Sequence, residues 1–211
     1  EFWTLSINFQ DDKKRTIVSS ISQLNGKKIE KFSFRNKNEI DNAIAEIKDK
    51  KFNITDISSK VVSRNPSGPF TTSTLQQVAS SRLGFGASRT MQIAQRLYQG
   101  IEIDGETIGL ITYMRTDGTN LSVDAISDFR DFVKNNYGND YLPEKPLNDS
   151  GKKAKNAQEA HEAIRPTDIS RTPDTLKKYL SSDQQKLYNL IWGRALSSQM
   201  ETAKFDRNTI T

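Results

Sequence analysis

Residues 113 to 117 read Tyr-Met-Arg-Thr-Asp. Side chains of an extended chain alternate with period two, so Tyr113 and Arg115 are expected on one side, joined by Asp117 if the extension persists. A phenol, a guanidinium and a carboxylate in a row make a poor core and a reasonable device for handling phosphate. A tyrosine hydroxyl, with an ordinary pKa near about 10, is a weak nucleophile at neutral pH, but a nearby cation favours the phenolate. Arg115 can supply that cation and can grip phosphate oxygens through two parallel N–H bonds. The same residues would also suit a half-buried strand tyrosine with a surface arginine beside it.

Two further groups could act on phosphate. His161 is the sole histidine of the chain and lies in AQEAHEAIRPTD. Arg165 follows four residues later, so the two share a face if the segment is helical, and Pro166 would end that helix. Together they would form a phosphate clamp; separately, His161 is a satisfied surface histidine. Lys152, Lys153 and Lys155 in SGKKAKN are suited to salt-sensitive contacts with a nucleic-acid backbone, or form a solvated loop.

These residues need elements to position them. In the first part, Trp3, Leu5, Ile7 and Phe9 alternate with polar residues, as a strand with one buried face does. A second strand leads to Asn25-Gly26, a hairpin signal, and a return strand follows. Ile40, Ala43, Ile44 and Ile47 have helical spacing, and a strand then runs to Pro66. After Pro66-Ser67-Gly68-Pro69 the pattern becomes mainly helical. One helix is expected over TSTLQQVASSRLG and a second over SRTMQIAQRLYQG, capped by Ser88 and ended by Gly100. With strands at IEID and GLITYM behind them, the two read as a helix-turn-helix with a wing, or as an ordinary helical hairpin. Further helices are expected after Ser122, around His161, over TPDTLKKYLSS, and from 183 to about 200.

Of 211 residues, 31 are Lys or Arg and 26 Asp or Glu, a formal charge of +5 that leans weakly towards anionic partners. Cysteine is absent, which excludes disulfides and cysteine-based zinc sites within these residues and makes an intracellular setting the default expectation. No apolar run approaches the roughly 20 residues of a membrane-spanning helix. The chain begins in a strand pattern and stops in another, FDRNTIT, and reads as a piece of a longer protein.

The segment ITYMRTDGTNLS resembles the active-site segment of type IA DNA topoisomerases, the bacterial topoisomerase I group above all. AQEAHEAIRPTD resembles a second motif of that family, and PFTTSTLQQVASSRLGFGASRTMQIAQRLYQG a third, in the family's order and spacing. The resemblance implies that Tyr113 attacks a DNA phosphodiester to form a 5′-phosphotyrosyl link, with Arg115 stabilising the charge on the phosphoryl oxygens. It implies that Asp117 orients Arg115 or the DNA, that His161 contacts the backbone, and that Arg165 is a structural or phosphate-binding residue. Single-stranded or negatively supercoiled DNA is the implied partner, relaxed by a cytoplasmic, nucleoid-associated monomer without ATP.

The family motif usually has serine after the Asp, where this chain has Gly118. The family's Mg²⁺ belongs to an acidic Toprim cluster that these residues lack, so the ion is expected on another domain of the same protein and no metal here. The implied fold class is α+β: an incomplete β-rich hinge segment at 1–72 and 202–211, and a helical gate domain with a winged-helix-like core at 73–201. On this reading the isolated piece is inactive. The rival reading is a non-catalytic winged-helix DNA-binding module, and a third is a scaffold piece with no nucleic-acid role.

Overall fold

The computed structural model describes residues 2–147 and 161–211. Two units are distinguished, Glu1–Ser58 with Asn208–Thr211, and Ser59–Arg207. Lys152, Lys153 and Lys155 lie outside the described residues.

In the smaller unit, strand β1 (Ser6–Gln10) pairs antiparallel with β2 (Thr16–Ser20), Phe9 facing Ile17. The expected alternation holds, with Trp3, Leu5, Ile7 and Phe9 partly covered and their neighbours exposed. The hairpin β3 (Gln23–Leu24) to β4 (Lys27–Lys28) turns on Asn25 and Gly26, at φ 49 and 75°, the positive values that such a two-residue turn demands. The return strand is shorter than its pattern suggested, and Phe34 meets Trp3 in a single bridge. Helix α1 (Lys37–Ile47) starts at Asn36, whose side chain accepts from the Glu39 amide, and buries Ile40 and Ala43 beside Phe34.

Strand β5 (Ile57–Arg64) pairs with β8 (Ala203–Ile210), joining residues far apart in sequence. Helix α2 (Thr72–Leu83) begins at Thr71 with a reciprocal capping box to Thr74 and ends at Gly84, φ 68°. Helix α3 (Ala87–Gln99) starts after Gly86, a little earlier than the expected Ser88 cap, and buries Thr90, Ile93, Ala94 and Leu97. The hairpin of β6 (Ile101–Ile103) and β7 (Glu106–Ile108) follows, so the helix-turn-helix with a β-wing is present. Helix α4 (Val123–Asn136), capped by Ser122, buries the expected stripe Ala125, Ile126, Phe129 and Val133. Helix α5 (Ser182–Ser197) completes the larger unit; Leu187, Tyr188 and Ile191 pack with Phe70, Leu75, Leu97 and Leu110 in one cluster. The chain is α+β, with two-stranded sheets and five α-helices among the described residues.

Three expected elements take another form. The run GLITYM makes no sheet strand: Ile111 has an isolated bridge to Pro166, and the Leu110 amide donates instead to the Leu97 carbonyl at 2.7 Å. The stretch from His161 to Pro166 is extended rather than helical. Its backbone bonds run outwards, from Ala163 N to Asn120 O at 2.9 Å and from Ile164 N to Phe70 O at 2.8 Å. Tertiary pairing with three separate segments thus replaces the internal bonds of a helix, and Ala163 and Ile164 are fully buried by it. The third, over TPDTLKKYLSS, is a series of turns with Leu176 and Leu180 buried; so short a run gains little from helix propagation against its nucleation cost.

Candidate active site

Tyr113 sits where its own segment meets the end of α3 and the segment of His161. Its ring meets that of Tyr98, on the last turn of α3, edge-on at 5.4 Å between centroids and 65° between planes. The imidazole of His161 lies against it at 5.1 Å and 49°. Tyr98, Thr112, Tyr113, His161 and Glu162 line one open cleft of about 450 Å³. The expected alternation survives without a sheet: Met114 and Thr116 are buried, while Tyr113 is half-buried and Arg115 and Asp117 are exposed. Arg115 and Asp117 have no salt-bridge partner among the described residues. Both are exposed, and neither is among the residues that line the cleft.

What holds this segment is a pair of threonines that the sequence reading did not single out. The Thr72 hydroxyl, in the first turn of α2, lies 2.8 Å from Met114 O and 3.1 Å from Thr116 O, and accepts from the Thr116 amide at 2.8 Å. The Thr72 amide donates to Thr116 O at 2.9 Å. The start of the helix therefore clamps the backbone on both sides of Arg115. The Thr112 hydroxyl donates to Ala163 O at 2.8 Å and accepts from the Arg165 amide at 3.0 Å, tying the tyrosine's segment to that of His161. Capping patterns alone could have flagged Thr72 only as a helix-start residue; its partner is 44 positions away.

Arg165 does not share a helix face with His161. Its guanidinium donates to both carboxylate oxygens of Glu162, at 2.9 and 2.8 Å, and to Pro166 O at 2.9 Å. Glu162 in turn accepts from the Ser122 amide at 3.2 Å, at the start of α4. The pair anchors the His161 segment, and the Arg165 side chain retains only 14% of its exposure. Among the described residues no group of three or more acidic or histidine side chains could hold a metal ion.

A tyrosine at an open cleft, with a histidine ring beside it and its own ring against the second helix of a helix-turn-helix, invites comparison with known proteins. The DNA topoisomerase family model matches residues 1–211. The chain belongs to this family. It is 50% identical to DNA topoisomerase 1 of Rickettsia prowazekii over 98% of its own length and 26% of that protein. It is 43% identical to the Xylella fastidiosa DNA topoisomerase 1, over 100% of its length and 26% of that protein. The full-length topoisomerase I of Thermotoga maritima superposes with a TM-score of 0.71 at 34% identity, covering 99% of this chain and 32% of that one. This topoisomerase chain thus spans about a quarter of the length of the curated relatives it matches. Its fold is that of the type IA, bacterial topoisomerase I group.

Proposed function

We propose that Tyr113 is the DNA-cleaving nucleophile of a type IA topoisomerase that relaxes negatively supercoiled DNA. The observation that carries this reading is the setting of Tyr113: its ring is held between Tyr98 and His161 at the mouth of an open cleft. The phenol oxygen attacks the phosphorus of a backbone phosphodiester. A bond from phosphorus to the phenol forms, the bond to the 3′ oxygen breaks, and the phenol's proton leaves for the departing oxygen. The products are a 5′-phosphotyrosyl link and a free 3′-hydroxyl. Reversal rejoins the strand with no other energy source, because one phosphodiester has been exchanged for another.

Arg115 supplies positive charge where the phosphoryl oxygens become more negative. His161, exposed beside the nucleophile, contacts the flanking backbone, and Asp117 orients Arg115 or the DNA. Lys152, Lys153 and Lys155 add salt-sensitive backbone contacts, and Arg165 acts mainly on the segment that carries His161. Residues 73–201 serve as the gate domain, and 1–72 with 202–211 as part of the hinge. The Mg²⁺ that serves the reaction is held by residues outside this chain, and the protein works as a cytoplasmic monomer at the nucleoid.

Replacing Tyr113 by Phe in the full-length protein tests this. Expected is complete loss of covalent adduct with a labelled single-stranded oligonucleotide, with oligonucleotide affinity kept within about twofold, since the ring and its stacking survive. The helix-turn-helix and wing favour a second reading, a non-catalytic DNA-binding module. That reading predicts no change on Tyr113→Phe, and an adduct that persists in the variant overturns the assignment of the nucleophile.

A further inference from the structure

Arg115 is exposed and has no salt-bridge partner among the described residues, so the backbone that carries it decides where its guanidinium can reach. That backbone belongs to no sheet. Met114 and Thr116, on either side of Arg115, are buried, and their peptide groups need partners away from water. One residue supplies them. The Thr72 hydroxyl has a single proton, which it donates to Met114 O at 2.8 Å, and it accepts from the Thr116 amide, also at 2.8 Å. The Thr72 amide donates to Thr116 O at 2.9 Å. Beyond Asp117 the Gly118 amide donates to the Thr116 hydroxyl at 2.9 Å, so the same anchor extends into the turn.

The anchor itself is fixed. Thr72 is the first residue of α2, whose start is held by the capping box of Thr71 and Thr74 and whose Leu75 and Ala79 are fully buried. Valine at position 72 would keep the shape, the methyl and the amide of threonine. It would leave the Met114 carbonyl and the Thr116 amide without their partner, and an unmet buried group is costly. The 114–116 backbone would shift to find others, and Arg115 would shift with it.

We propose that Thr72 is a positioning residue for Arg115: by bonding the peptide groups on both sides, its hydroxyl holds that backbone where the guanidinium reaches the phosphate attacked by Tyr113. The catalytic consequence rests on the roles proposed above for Tyr113 and Arg115; the clamp does not.

The clamp is read in the full-length wild-type protein by hydrogen exchange resolved to single amides. The Thr116 amide should exchange about a hundredfold or more slowly than in an unstructured peptide. An unprotected Thr116 amide overturns the proposal, whether or not a variant folds. Protection should persist in Thr72→Ser and fall by about tenfold or more in Thr72→Val.

The consequence is read as the rate of adduct formation on a labelled single-stranded oligonucleotide. At saturating oligonucleotide Thr72→Val should be slowed by about tenfold or more, with affinity changed less than about twofold, as expected when a contacting group is misplaced rather than removed. Thr72→Ser, which keeps the hydroxyl, should stay within about threefold of wild type. Thr90 provides the control: it is fully buried on α3, and its hydroxyl donates to the Gly86 carbonyl at 3.0 Å. Thr90→Val loses a comparable bond without touching the clamp, and its rate should stay within about twofold of wild type. An unslowed Thr72→Val, a Thr72→Ser as slow as the valine variant, or an equal loss in Thr90→Val overturns the proposal. A wild-type protein that forms no adduct sinks the function proposed above instead, and the exchange of Thr116 then still decides the clamp.

Discussion

Arg165 is the residue whose structure and expected chemistry differ most. A guanidinium four positions from a histidine suggested a phosphate clamp, but here it forms a bidentate pair with Glu162 and donates to the Pro166 carbonyl. Removing it strands a partly buried carboxylate and frees the segment that holds His161. Arg165→Ala should therefore destabilise the chain by about 2 kcal/mol in urea unfolding, in the range for hydrogen bonds to charged groups. Lysine should not restore the loss, because a single ammonium cannot make the two parallel bonds. If Arg165 served DNA alone, the unfolding midpoint would stay put while oligonucleotide binding fell. The alternation along 113–117 was legible because it follows from residue spacing; Thr72 and Thr112 were not, because a threonine in sequence gives no sign of which distant carbonyl it will reach.

Helices were the most readable elements. The stripes Ala125, Ile126, Phe129 and Val133 on α4, and Leu187 and Ile191 on α5, are buried as their spacing required. The extended runs were less so, since pairing partners come from elsewhere in the chain and decide between strand, bridge and loop. Within α5, Tyr188 lies in the core and donates its hydroxyl to the Arg171 carbonyl at 2.7 Å, pinning the turn series to the helix. Burial is the chief cause that pushes the Tyr188 phenol well above the ordinary value of 10.0, with the charge of Asp168 adding to it. The folded state therefore keeps this proton where the unfolded chain releases it. The stabilisation is complete below the unfolded value and declines as pH rises beyond about 10. Tyr188→Phe should cost about 1 kcal/mol at neutral pH by loss of the bond. Denaturation series across alkaline pH should show that deficit shrinking and then reversing, and a constant difference would contradict the burial argument.

For the molecule as a whole, the balance of charge and the share of its relatives' length that it spans set the expectations. A formal charge of +5 and a helix-turn-helix suit the chain to backbone contacts, yet its described residues offer no cluster for Mg²⁺. The 211-residue chain should bind single-stranded oligonucleotide with an affinity that falls as salt rises, by a log–log slope of about −0.7 for each phosphate neutralised. It should leave supercoiled plasmid unrelaxed even with Mg²⁺ present. Gel assays that showed relaxation by the purified chain would mean that the whole reaction is contained in about a quarter of the length of its relatives, against the present view.

The sequence by itself determined the family, the longer helices and the hairpin turn at Asn25-Gly26, because these depend on residue type and local spacing. Only the tertiary structure decided that His161 stands on an extended segment rather than a helix, that Arg165 faces inwards to Glu162, and that Thr72 clamps the backbone on both sides of Arg115. Those outcomes depend on which backbone groups meet across tens of residues. Hydrogen-bond donors and acceptors removed from water must find partners wherever the fold brings them, and no local pattern records that choice.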